Sequence, residues 1–212
     1  GGSGNVPDVM ALTLYLCGNL NSLSAYKKCY EDKITFVKGM SGGERRMAYR
    51  RGDLNITREN PAAYKKHAQK AGEVLFTHGV TSAQGFKIVD DPNHPNKSFT
   101  KQFVEKWGEQ PRGKLYGAYV LVKSYRDTLQ KALWMNKSNP NTAKVRAALE
   151  SMLNDPEAIK DIEKSVGKYD WWKGEELIDV VSKLDSMTTK KSLTTLVYWQ
   201  KEVLGYNAVL KR

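Results

Sequence analysis

Up to Lys123 the apolar positions come in short runs broken by glycine and proline turns, and beyond it they recur at helical spacing. Val9, Leu12, Leu16 and Leu20 make the first helical stripe. Asn5 suits its N-cap, Pro7 its first turn and Asp8 the positive end of its dipole. Asn21 to Asp32 reads as a polar connection. Ile34, Phe36 and Val37 then predict a buried strand. Gly39, Gly42 and Gly43 allow a sharp turn, and Ser41 and Glu44 have capping-box spacing. The spacing predicts a helix from Gly42 through Met47, Ala48 and Arg51, stopped by Gly52.

Leu54 and Ile56 form a short apolar segment, and Asn60-Pro61 opens a helix to about Gln69. Val74 to Thr77 reads as another buried strand, Asp90 to Asn96 as a loop, and Ser98 as the cap of a helix reaching Trp107. Gln110 to Gly113 turns the chain, and Leu115 to Val122 is its longest strand signal. Helices follow over Ser124–Met135, Asn141–Leu153, Pro156–Ser165, Glu175–Leu184 and Ser192–Leu204. Tyr169, Trp171 and Trp172 fall between two of them and read as packing under a loop in preference to a ligand platform. The expected architecture is α/β over residues 1–115, followed by a crossover strand and helices over 116–212. Val145, Leu149, Leu153, Ile159, Ile162, Leu177 and Val181 give those helices an apolar stripe with too little partner in the chain.

Composition narrows the functions. The 212 residues carry a formal charge of +11, which suits acidic ligands, anionic surfaces or nucleic acid. The basic residues are dispersed, though, and no basic run is interleaved with stacking aromatics. Arg45, Arg46, Arg50 and Arg51 are the densest group, and Arg46 reads as solvent-facing. His67, His78 and His94 share no metal-ligand spacing, and no nucleophile–base–orienter set is visible. The apolar runs are too short to span a bilayer. The start has no charged-then-apolar signal sequence, so one has been removed or the chain begins inside a longer protein.

The two glycine turns, Gly1–Asn5 and Gly39–Gly43, each end at a helix N-terminus, where free N–H groups favour anions. The second lacks the Gly-Lys-Ser/Thr ending of a P-loop. Cys17 and Cys29 admit two readings, a disulfide in an oxidising compartment or two half-buried thiols.

With those turns in place, the chain resembles the extracytoplasmic substrate-binding proteins of tripartite tricarboxylate transporters, the Bug type. Four stretches carry the likeness: GGSGNVPDVM, ITFVKGMSGGERRMAYRRGDLN, LYGAYVLVKS, and Val145 to Leu184 around Asp155-Pro156-Glu157. Asn55 departs from the family's usual Asp. The resemblance implies a Rossmann-like lobe of a type II periplasmic-binding-protein fold, with the C-terminal helices packing on a first lobe upstream. It implies capture of a small carboxylate without chemistry or cofactor, for membrane transporter subunits, by a periplasmic protein that is monomeric at full length. The matching ligand residues are Gly2, Ser3, Gly4 and Asn5 at one turn, Gly39, Met40, Ser41 and Gly42 at the other, and Asn55 and Arg58 facing the cleft. An exported location also implies the Cys17–Cys29 disulfide. The rival readings are a phosphate- or nucleotide-using enzyme at Gly39–Glu44 and a basic nucleic-acid-binding module.

Overall fold

The computed structural model describes residues 5–82, 88–129, 133, 135–136, 138–169 and 171–208. Among these are ten α-helices and one two-stranded sheet. The predicted α/β, Rossmann-like lobe is therefore not what forms: the described residues are mostly helical, and their only sheet is a short antiparallel pair. A doubly wound lobe needs parallel strands joined by helical crossovers. None of the three predicted strands supplies one. Ile34–Val37 joins no sheet. Val74–Thr77 makes one isolated parallel bridge, Thr77 to Ser98. Leu115–Val122 is helix.

The order is α1 (Val6–Cys17), α2 (Leu23–Lys33), α3 (Gly42–Arg51), α4 (Pro61–Ala63), β1 (Val80–Thr81), β2 (Ile88–Val89), α5 (Phe99–Trp107) and α6 (Gly113–Leu129). Then come α7 (Thr142–Leu153), α8 (Pro156–Val166), α9 (Gly174–Met187) and α10 (Lys190–Tyr198). π-Helical turns continue α4 over Tyr64–Ala68 and α10 over Trp199–Val203.

The core forms around α1 and α6, with α2, α5 and the end of α10 closing it. Val6, Met10 and Leu14 face inward at four-residue intervals, alongside Val9 and Ala11. The predicted α1 stripe thus holds only at Val9; Leu12, Leu16 and Leu20 are half-buried. The helix is apolar almost all round, so spacing alone did not fix its inward face. Asn21 to Asp32 is mostly helix rather than connection: Ser22 Oγ caps α2 by accepting from Ala25 N at 3.1 Å. Cys17, at the end of α1, is joined to Cys29 of α2 by a disulfide.

α6 shows why the strand reading failed. Its apolar run suits either element, and period cannot separate them. The helix wins because Leu115, Ala118, Tyr119 and Leu121 are buried where it packs between α1 and α10. The β1–β2 hairpin pairs Val80 with Val89 and Thr81 with Ile88. Gly79 precedes it at φ +68°, where an added Cβ would sit 2.2 Å from the Val89 carbonyl oxygen, so only glycine fits.

Beyond α6, α9 buries Val180 and Leu184 against Tyr125 and Trp172. α7 and α8 pack on each other, and α8 touches α4, yet neither buries a residue. No described helix is long and apolar enough to cross a membrane.

Candidate anion-binding site

The segment 57–60 lies between the start of α1 and the basic face of α3. Arg58 reaches one way and Glu59 the other. Glu59 accepts from Arg46 through two nitrogens, Nε at 3.0 Å and Nη2 at 2.9 Å, and from Arg45 Nη2 at 3.1 Å. Its side chain is only 5% exposed, so the paired guanidinium is what makes this burial tolerable. Burial alone would raise the Glu59 carboxyl, but the bonds from Arg46 and Arg45 hold it below its ordinary value. Arg46 is therefore a fixed partner, not the solvent-facing charge expected.

Asp8, in the first turn of α1, is the other anchor. Arg126 Nη1 of α6 lies 3.2 Å from its Oδ1, and His78 Nε2 lies 2.7 Å from the same oxygen. Arg58 Nε stands 3.5 Å from Oδ2, a Coulombic contact rather than a full hydrogen bond. Burial pushes the Asp8 carboxyl up. The His78 hydrogen bond and the charges of His78, Arg58 and Arg126 outweigh it, so the net shift is downward. With Asp8 ionised, His78 Nε2–H donates to it, and Nδ1 lies 3.0 Å from the Tyr119 hydroxyl. Burial drives the Tyr119 phenol well above its usual value, which keeps it a donor. Tyr119 is fully buried, so this line ends in the core and presents no nucleophile to solvent.

Arg58 is the exposed member, with 40% of its side chain accessible. Its pKa is lowered by desolvation, opposed by Asp8 and reinforced by the nearby charges of Arg126 and Arg45. Four guanidiniums, Arg45, Arg46, Arg58 and Arg126, thus share two carboxylates, Asp8 and Glu59. The Arg58 charge sits beside the N-terminus of α1, whose dipole has the same sign.

A second polar group adjoins it on α6. Lys123, 1% exposed, pairs with Asp127, and Asp127 Oδ2 also accepts from Thr81 N at 3.2 Å and Thr81 Oγ1 at 2.9 Å. Desolvation lowers the Lys123 pKa despite Asp127. A lysine so shifted is a candidate nucleophile in an open cleft, but this one is enclosed and committed to its partner. Among the described residues no group of His, Cys, Asp or Glu could hold a metal ion.

The predicted ligand residues divide. Gly2, Ser3 and Gly4 lie outside the described residues. Asn5 holds the N-cap position of α1 with no side-chain capping bond. Gly39, Met40, Ser41 and Gly42 are all exposed, and nothing lies within 4 Å of a Cβ built on Gly39 or Gly42. The α3 capping box forms as expected: Ser41 Oγ accepts from Glu44 N at 3.3 Å, and Glu44 Oε2 accepts from Ser41 N at 2.7 Å. That places a carboxylate at this helix N-terminus already. The Ser41 backbone bond holds Glu44 below its ordinary pKa. Asn55 is exposed, and only Arg58 of the set joins the Asp8 cluster. Sequence spacing missed His78, Tyr119 and Arg126; Arg126 and Asp8 are 118 residues apart, and no local pattern links them.

No family model matches this chain, and neither the curated proteins nor the solved structures give a significant match.

Proposed function

We propose that this chain captures a small carboxylate beside the start of α1, with Arg58 and Arg126 as cationic walls, and releases it without chemistry. The carrying observation is Arg58 itself, partly exposed beside Asp8 and repelled by the nearby charges of Arg126 and Arg45. An incoming carboxylate relieves that repulsion and gains the α1 dipole, worth about 0.3–1 kcal/mol at an exposed helix end. The Gly39–Gly42 turn contributes less, because Glu44 sits on the α3 N-terminus with no ion-pair partner among the described residues and repels a second anion, whereas Asp8 is already matched by Arg126, His78 and Arg58.

The biological role that fits is the periplasmic substrate-binding component of a tripartite tricarboxylate-type transporter. Its support is a disulfide of the kind that persists in oxidising compartments; the resemblance does not extend to the fold, since residues 115–124, which it reads as a crossover strand, are helix. The test is calorimetry with mono-, di- and tricarboxylates, nucleotides and DNA, on wild type and on Arg58→Ala and Gly42→Val. Carboxylate binding lost in Arg58→Ala and kept in Gly42→Val supports the site. The reverse result moves binding to the α3 turn, and DNA binding that falls steeply with salt replaces the reading altogether.

A further inference from the structure

Two hollows meet at the start of α6, at Gly113 and Lys114. One, of about 170 Å³, has mixed walls and is bordered by Asn21, Ser22, Leu23, Tyr26 and Arg112. The other is a groove of about 530 Å³ between the first half of α6 and the α9–α10 corner. Its walls are mainly apolar: Tyr116, Val120, Leu121 and Met187. Lys114 stands where the hollows join, and Lys191 borders the groove on α10. Neither lysine has an ion-pair partner among the described residues, whereas Arg112 is already engaged by Glu109. Gly117 also lines the groove; it has ordinary helical φ, and a Cβ there would meet nothing within 4 Å.

The geometry points to a binding site for an amphipathic anion, a medium-chain acyl carboxylate. Its alkyl chain lies along Tyr116, Val120, Leu121 and Met187, and its carboxylate sits at Lys114. The groove's size falls in the roughly 300–1,000 Å³ span of small-molecule sites. The two requirements of such a ligand, an apolar trough and an uncompensated cation at one end, are met side by side. This site is independent of Arg58 and of the small-carboxylate reading.

The test is titration of the full chain with hexanoate, octanoate and decanoate below their micelle concentrations, with decanol as the uncharged control. Affinity rises by about fourfold per methylene, the increment that burial of a CH₂ gives. Lys114→Gln weakens decanoate by up to about fivefold and leaves decanol unchanged, as expected for one exposed charge pair. Gly117→Leu fills the groove, keeps or raises the melting temperature because leucine favours a helix over glycine, and weakens decanoate about tenfold or more. Met187→Glu, at an exposed position, puts a like charge in the trough and does the same without touching the core. Arg58→Ala leaves decanoate binding intact. Absence of decanoate binding, affinity independent of chain length, or full affinity in both Gly117→Leu and Met187→Glu overturns the proposal. Loss of decanoate binding in Arg58→Ala alone assigns the acyl carboxylate to the α1 cluster and also overturns it, leaving the small-carboxylate site standing.

Discussion

α1 and α8 are near equals in length, 12 and 11 residues, and both carry proline in the first turn, yet they end in opposite environments. α8 has the better local signals. Asp155 accepts from Glu157 N at 2.9 Å, Lys164 stands in the last turn, and Ile159 and Ile162 mark a clear stripe. α1 lacks a side-chain cap and is apolar almost all round. It is α1 that is buried, and α8 that buries nothing. Good capping and a clean stripe make a helix form; a facing partner decides whether its stripe is worth anything to the fold. α6 and α2 give α1 that partner, whereas α8 has only α7 and the short α4.

The largest expected effect separates these two helices directly. Leu14→Ala, fully buried in α1, costs about 2–5 kcal/mol in denaturant unfolding. Ile159→Ala on α8 costs less than about 1 kcal/mol, within the range of surface changes. Equal losses would mean that α8 belongs to the same cooperative unit as the core.

Asp127→Ala comes next, because it strands the Lys123 charge inside the α6 packing. We expect a loss of about 3 kcal/mol, against a near-neutral Lys123→Met, which replaces the ion by an apolar chain of similar length. Thermal melts of the two variants decide whether the charge or the packing matters.

Reducing the Cys17–Cys29 bond, which spans 12 positions, removes about 3 kcal/mol through the unfolded chain. Hydrogen exchange should show the loss across α1, α2 and α6 and none in α7 and α8, which open locally at lower cost in either state. Uniform loss across all helices would erase the distinction between the regions.

Acid gives a smaller, graded effect. Asp8 and Glu59 are both held below their ordinary values, so the unfolded chain takes up protons first and stability falls as pH drops. The contribution is complete above about pH 4–5, the range of unfolded carboxyls, and is lost as pH falls through the folded values. Asp8→Asn should flatten the melting-temperature curve between about pH 5 and pH 2. A curve as steep as wild type would remove Asp8 from the account.

Legibility followed the same divide. α3 could be read from sequence because its signals are local: Ser41 and Glu44 form the capping box, and Gly52 stops the helix in the left-handed region. α7 and α8 were equally plain, within a residue at each end. α6 was not, since Leu115 to Val122 is apolar enough for strand or helix, and only packing between α1 and α10 chooses. The α/β expectation failed with it. At the candidate site, Arg58 was legible only through the family resemblance, and its company was not legible at all. Asp8 looked like a dipole complement, and His78 and Arg126 carry no local pattern; only the fold brings them to one carboxylate.

The place of α6 in the chain also sets an order of assembly. Its two main neighbours in the core, α1 and α10, lie at opposite ends of the described chain. During synthesis α1 emerges first and finds α6 only after α5 is complete. The pair then waits, one apolar side uncovered, until α10 and Trp199 arrive. Exposed surface of this kind is what draws aggregation in partly made chains. The helices made in that interval begin with α7 and α8, which bury nothing and offer the waiting core little to mispair with. With no residue to bury, and so of small value to the finished fold, they leave the place beside α6 open for the helix that belongs there.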